Sequence, residues 1–284
     1  MTAANGIARS ARTAVSTHVG RPGILLLHGL TGMPSEMRPL ERHLRAHGYS
    51  VSVPLLPGHG GTHRELLATT WSDWVSGARA ACGELAARCD TVVIAGLSMG
   101  ALLATLLAVD DARVAGIVLL SPTLRYDGPS IPWTRRLLPL AHVVPGADRL
   151  FYWTEKPPYG LRDERLQRLV TRAVEAARRG EQTEYGLFRT YVGSVRELNR
   201  MVRLVRRRAG AVRCPALVLH SREDTITSGA NAEEMHALLG SAEKSIRWLS
   251  GCDHVLTVDL QKHVVARAVT DFVAGLPSAA RRRA

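Results

Sequence analysis

Short apolar runs alternating with amphipathic helical segments predict an α/β fold with a mostly parallel sheet. Three observations carry that expectation. The apolar runs are strand-sized and end at turn residues, as Ile24–Leu27 does at His28-Gly29. The segments between them repeat apolar residues at helical spacing. One stretch of about ninety residues, Pro122–Val212, breaks the alternation and carries no convincing strand.

The elements follow in order. After Ile24–Leu27, Pro34–His47 places Met37, Leu40 and Leu44 on one helical face and is closed by Gly48. Tyr49–Val53 is a second strand, stopped by Pro54. Trp71–Arg88 reads as a helix with Trp74, Val75, Ala78, Ala81, Cys82 and Leu85 on its inner side. Thr91–Ala95 is a β-branched strand, followed by a helix through Val109 and the strand Gly116–Leu120. The last strands are Ala216–His220 and Ser245–Leu249, with a helix over Asn231–Leu239 between them and Gln261–Ala274 closing the unit.

The interrupting stretch holds aromatic and proline clusters, then two Arg-laden helical segments over Asp163–Arg179 and Thr183–Arg208. An α-helical cap inserted before the last two strands fits it, above the strand ends where open α/β sheets bind ligands. The expected division is a core of residues 21–121 and 213–276, with a cap of residues 122–212. Residues 1–20 read as a disordered extension and 277–284 as a basic tail.

Composition narrows the function classes. The 284 residues are 46% hydrophobic and 22% charged, ordinary for a chain that buries a core. No run approaches the roughly 18 apolar residues of a membrane span, so no stable membrane insertion is expected. The net charge of +12 comes from a chain in which Lys occurs only at 156, 244 and 262. An Arg bias without a nucleic-acid-binding motif does not indicate a nucleic-acid partner. Arg203–Arg208 is the densest basic segment; a solvated helix face and an anion-attracting surface are both open readings. Cys82, Cys89, Cys214 and Cys252 form no CxxC pair, which suits free thiols in a reducing, cytoplasmic setting. No HExxH or comparable spacing appears, so no metal or other cofactor is expected.

The chemistry gathers at the strand ends. Gly96-Leu97-Ser98-Met99-Gly100 follows a strand and opens a helix, the context that gives GxSxG its meaning. Such a turn presents the Ser98 hydroxyl and sets the Met99 N–H at a helix start. A serine hydroxyl needs a base to take its proton, and usually an acid to orient that base. Asp224 lies past the Ala216–His220 strand and His254 just beyond Ser245–Leu249, in the order Ser, acid, His. Glu223 and Asp253 are near enough to compete for the acid role, and His263 is the poorer candidate for the base. The Leu30 N–H, in His28-Gly29-Leu30-Thr31-Gly32 after the first strand, is the expected second oxyanion donor beside Met99. His28 reads as a loop brace, and Pro57-Gly58-His59-Gly60 as a buttress of the site floor.

With HGLTG, PGHG, GLSMG, SREDTI and CDHVLTVD in register, the chain resembles the α/β-hydrolase superfamily. More narrowly, it is similar to bacterial carboxylesterases and monoacylglycerol-lipase-like enzymes with a small cap. The resemblance implies nucleophile Ser98, acid Asp224, base His254 and oxyanion amides from Leu30 and Met99. It implies hydrolysis of a small-molecule ester with an apolar acyl group through an acyl-enzyme. A monoacylglycerol lipase, or a thioesterase or acyltransferase acting on acyl carriers, stands as the alternative. Two departures matter: Asp253 precedes the histidine where such relatives commonly have Gly, and the insertion is longer and richer in Arg. Trp133, Phe151 and Trp153 could line the acyl pocket or form the core of the cap.

Overall fold

The computed structural model describes residues 22–132, 144, 146–179 and 186–277. Numbered along the chain, the main strands are β1 (Gly23–Leu27), β2 (Val51–Ser52), β3 (Val92–Leu97), β4 (Val114–Leu120), β7 (Ala216–Ser221) and β8 (Lys244–Leu249). They form one sheet in the order β2-β1-β3-β4-β7-β8, every pair parallel. β1, β3, β4 and β7 are buried along their whole length, which is why they read as continuous apolar runs rather than alternating ones.

Helices cover both faces. One face receives α3 (Trp71–Ala86), α4 (Met99–Asp110), α7 (Val192–Arg208) and α8 (Ala230–Leu238). The other receives α1 (Arg38–Ala46), entered by a 3₁₀ turn over Pro34–Met37, and α9 (Lys262–Gly275). The alternation along β1 sorts the two layers: Leu25 and Leu27 face the first core, Ile24 and Leu26 the second. Helix α4 lies between the sheet and α7, so Met99–Leu107 is buried all round. Outside the insertion, the expected helices and strands stand within a few residues of their predicted bounds. The short α2 (His63–Leu67) is an addition, started by a capping box between Thr62 and Glu65.

The insertion differs from expectation. It contains α5 (Ala147–Leu150), α6 (Glu164–Arg178) and also a two-stranded antiparallel ribbon, β5 (Tyr152–Thr154) with β6 (Arg189–Tyr191). Three-residue strands are too short to show an alternation, and the partner lies far along the chain. The helix expected over Thr183–Arg208 starts only at Val192, directly after β6, and residues 180–185 lie outside the described residues. On α7, Leu198, Met201, Val202 and Val205 are buried in the core shared with α3 and α4. The segment ahead of α7 roofs the cavity at the strand ends, while α7 packs as a core helix.

Met201→Ala is expected to cost about 2–5 kcal/mol in stability, as for other fully buried large-to-small changes. Leu169→Ala, at a half-exposed site on α6, should cost much less. Equal melting temperatures for wild type and Met201→Ala would show that α7 is detachable from the core.

Candidate active site

The turn between β3 and α4 is set by backbone contact. A Cβ on Gly96 would overlap the Gly100 carbonyl, and one on Gly100 would overlap the Leu27 carbonyl, so neither position accepts a side chain. Ser98 itself sits at φ 56°, ψ −112°, a strained conformation for a non-glycine residue. Its hydroxyl meets Thr123 Oγ1 at 2.7 Å, and Thr123 in turn donates to Ser121 O at 3.3 Å. Among the described residues Thr123 is the hydrogen-bond partner of the Ser98 hydroxyl. Both Ser98 and His254 line the same cavity of about 250 Å³.

The His254 ring and its acid are held tightly. Nδ1 lies 2.8 Å from Asp224 Oδ2. Asp224 also accepts from the Ile226 and Thr227 amides at 2.8 and 2.7 Å and from the Thr227 hydroxyl at 2.9 Å. The three neighbouring carboxylates differ in what they meet. Asp253 accepts from Thr225 N, Thr225 Oγ1 and the His254 backbone N–H, tying the acid loop to the histidine loop without meeting the ring. Glu223 accepts from Gly251 N at 2.6 Å and stands near Arg162. Asp259 binds Asp253 N and the Arg162 and Asp163 amides, joining the same loop to the start of α6.

Electrostatics favour the ionised acid and a basic imidazole. Burial alone would raise Asp224, but His254, its hydrogen bond, His220 and the Thr227 amide outweigh it and lower the carboxyl. Burial alone would depress His254; the charge and hydrogen bond of Asp224, with Asp253 and Glu36, outweigh it and raise the imidazole above its ordinary value. An imidazolium formed here is thus stabilised.

Met99 opens α4, and Gly29 packs so near Ser98 that a Cβ there would lie 3.4 Å from the serine Cβ. Among the described residues neither the Leu30 nor the Met99 N–H has an acceptor. His28 accepts from Leu56 N at 3.2 Å and meets Gly29 O at 2.9 Å, and burial pushes its pKa down to about 3. It braces the loop as a neutral ring. His59 packs edge-on to His28 beneath it.

The cavity walls are mostly apolar, including Leu97, Ile131, Trp153, Leu166, Val170, Phe188 and Val258. Trp153 lines the cavity and packs edge-on to Tyr126. Phe151, which follows α5, is 58% exposed and stands outside this lining. Trp133 lies outside the described residues. Two carboxyls escaped the sequence reading, Glu36 and Glu155. Both line the cavity, and burial, with mutual repulsion adding to it at Glu36, raises each to about 7. Glu36 passed as one more charge on an amphipathic helix start, and Thr123 as an ordinary residue after a strand; nothing local marks either. Among the described residues, no group of three His, Cys, Asp or Glu side chains could hold a metal ion.

A base must be neutral to accept a proton, so activity should fall as pH drops through an acid limb lying above 6.5, the unperturbed histidine value. Glu36→Gln removes one of the charges that raise His254 and should move that limb of kcat/KM to lower pH. A limb that stays in place or moves up would contradict the electrostatic picture.

This geometry can be set beside known proteins. The family model described as serine aminopeptidase, S33, matches residues 21–261. The thermostable monoacylglycerol lipase of Bacillus sp. (strain H-257) is 29% identical over 255 residues, covering 90% of this chain and 91% of that protein. The carboxylesterase of Bacillus subtilis (strain 168) is 22% identical over 255 residues, covering 89% and 93%. A solved structure described with LipS and LipT, two metagenome-derived lipolytic enzymes, superposes with a TM-score of 0.74 at 31% identity, covering 90% and 95%. The chain belongs to the serine aminopeptidase S33 family, within the α/β-hydrolase superfamily.

Proposed function

We propose that this protein is a serine carboxylesterase that hydrolyses small esters with an apolar acyl group through an acyl-enzyme on Ser98. The observation that carries the reading is His254, hydrogen-bonded to the buried Asp224 at 2.8 Å, lining one cavity with a serine on a strained GxSxG turn. Two relatives of named activity are a monoacylglycerol lipase and a carboxylesterase, which favours ester over amide substrates.

In this mechanism His254 Nε2 takes the Ser98 proton as Oγ attacks the ester carbonyl carbon. Asp224 holds Nδ1–H and stabilises the imidazolium. The Leu30 and Met99 amides receive the negative oxygen of the tetrahedral intermediate. When the C–O bond to the alcohol breaks, His254 returns the proton to the leaving oxygen. Water, deprotonated by the same imidazole, then attacks the acyl carbon and releases the acid, restoring Ser98–OH. Trp153 and the aliphatic wall would take the acyl chain, where burial contributes about 0.8 kcal/mol per methylene.

A monoacylglycerol lipase is the second reading, favoured by the Bacillus relative that matches 90% of the chain. The acyl-carrier reading has less support, because the basic segment is partly neutralised. Arg206 pairs with Glu234 at 2.7 Å, and Arg208 with Asp110 at 2.7 Å. None of the four cysteines is joined in a disulfide, which suits a reducing, cytoplasmic setting, and no helix among the described residues is long and apolar enough to cross a membrane.

Hydrolysis of p-nitrophenyl esters of graded chain length, against monoacylglycerols and acyl-CoA, tests the assignment. The free esters should be hydrolysed with kcat/KM rising as the acyl chain fills the cavity, and Ser98→Ala should lower kcat by more than about a thousandfold. Acyl-CoA as the preferred substrate, or undiminished activity in Ser98→Ala, would refute it.

A further inference from the structure

The oxyanion loop is gripped from above by the roof. Thr31, next to Leu30, holds φ 62°, a left-handed conformation that a β-branched residue keeps only when its surroundings impose it. Those surroundings come largely from the insertion. The Leu187 N–H donates to Thr31 O at 2.9 Å. Gly186, at φ 93°, runs so close that a Cβ on it would overlap that same carbonyl oxygen. The Thr31 hydroxyl lies against Leu30 O and 3.4 Å from Glu155 Oε1, just beyond β5. From the core, the loop supplies its own closure, Gly32 N to Gly29 O at 3.2 Å.

We propose that Gly186, Leu187 and Glu155 are positioning residues for the oxyanion hole, acting through Thr31. The proposal rests on the reading of Leu30 as an oxyanion donor. An oxyanion donor works only when its N–H stands about 2.7–3.1 Å from the place the oxygen will occupy. The direction of the Leu30 N–H follows from the dihedrals of Gly29, Leu30 and Thr31. Releasing the Thr31 carbonyl lets that residue relax toward negative φ, and the Leu30 peptide turns with it. The ground-state ester binds chiefly through the apolar walls and tolerates this change; the tetrahedral oxygen does not. The roof is therefore part of the catalytic geometry as well as the wall of the acyl pocket.

The test compares wild type with Gly186→Ala, Glu155→Ala and Glu155→Gln. The readouts are kcat and KM on p-nitrophenyl butyrate and the affinity of a butyl trifluoromethyl ketone, whose hemiketal oxygen occupies the hole. Gly186→Ala should lower kcat by about 10- to 100-fold, a part of the 100- to 1,000-fold cost of losing a donor outright. KM should stay within about twofold, and ketone affinity should fall by the same factor as kcat/KM. Glu155→Ala should show the same pattern more weakly, with Glu155→Gln, which can still accept from Thr31, closer to wild type.

A rise in KM at constant kcat, or unchanged ketone affinity in Gly186→Ala, would make these residues cavity walls only and overturn the proposal. Should Gly186→Ala fail to fold, the Glu155 pair decides: equal effects of Ala and Gln, or none, overturn it. Failure of the wild type to hydrolyse any ester would sink the functional reading instead, while ketone binding would still report on the loop.

Discussion

Everything at the catalytic edge depends on how closely the backbone of the Ser98 turn approaches its neighbours. Gly96 lies against Gly100, and Gly100 against Leu27, with no room for a side chain at either glycine. That contact fixes α4 to the ends of β1 and β3 and imposes the positive φ on Ser98. The strain is sustained because α4 is buried on every side, between the sheet and α7. A nucleophile on a looser turn would keep its chemistry but lose its fixed relation to the amides of Leu30 and Met99. The large apolar core and the small polar site are thus one mechanical system.

The remaining parts are brought to that edge by loops that brace one another. Asp224 is held by its own turn, through the Ile226 and Thr227 amides. His254 is held by Asp253 and by Ser121, whose hydroxyl donates to the histidine carbonyl. Asp253 thereby has a role that its position beside His254 obscures: it is a buried bracket between two loops, while the carboxylate that meets the His254 ring is Asp224. The cost is a buried carboxylate that burial pushes toward its neutral form, offset by three hydrogen-bond donors.

Legibility in the sequence followed the range of the interactions. The Ser98 turn, the strands buried on both faces and the order Ser98, Asp224, His254 are encoded by local spacing and stand in the structure at those positions. Choosing Asp224 over Asp253 and Glu223 needed the direction of each side chain, which residue order does not carry. The ribbon of β5 with β6 was invisible because each strand has three residues and its partner is some 35 residues away. Helix α7 was read as part of the roof because its Arg-rich outer face dominates its composition, while the face that decides its place is the stripe from Leu198 to Val205. Thr123, Glu36 and the Gly186–Leu187 contact matter only through residues distant in sequence, so no motif announces them.

The central claim is that Ser98 is the nucleophile presented by this turn, and covalent capture tests it most directly. Wild-type protein treated with a fluorophosphonate and analysed by intact mass and peptide mapping should carry one phosphonyl group, on Ser98, and Ser98→Ala should carry none. An adduct on another residue, or an unlabelled wild type that is otherwise folded, would contradict the account.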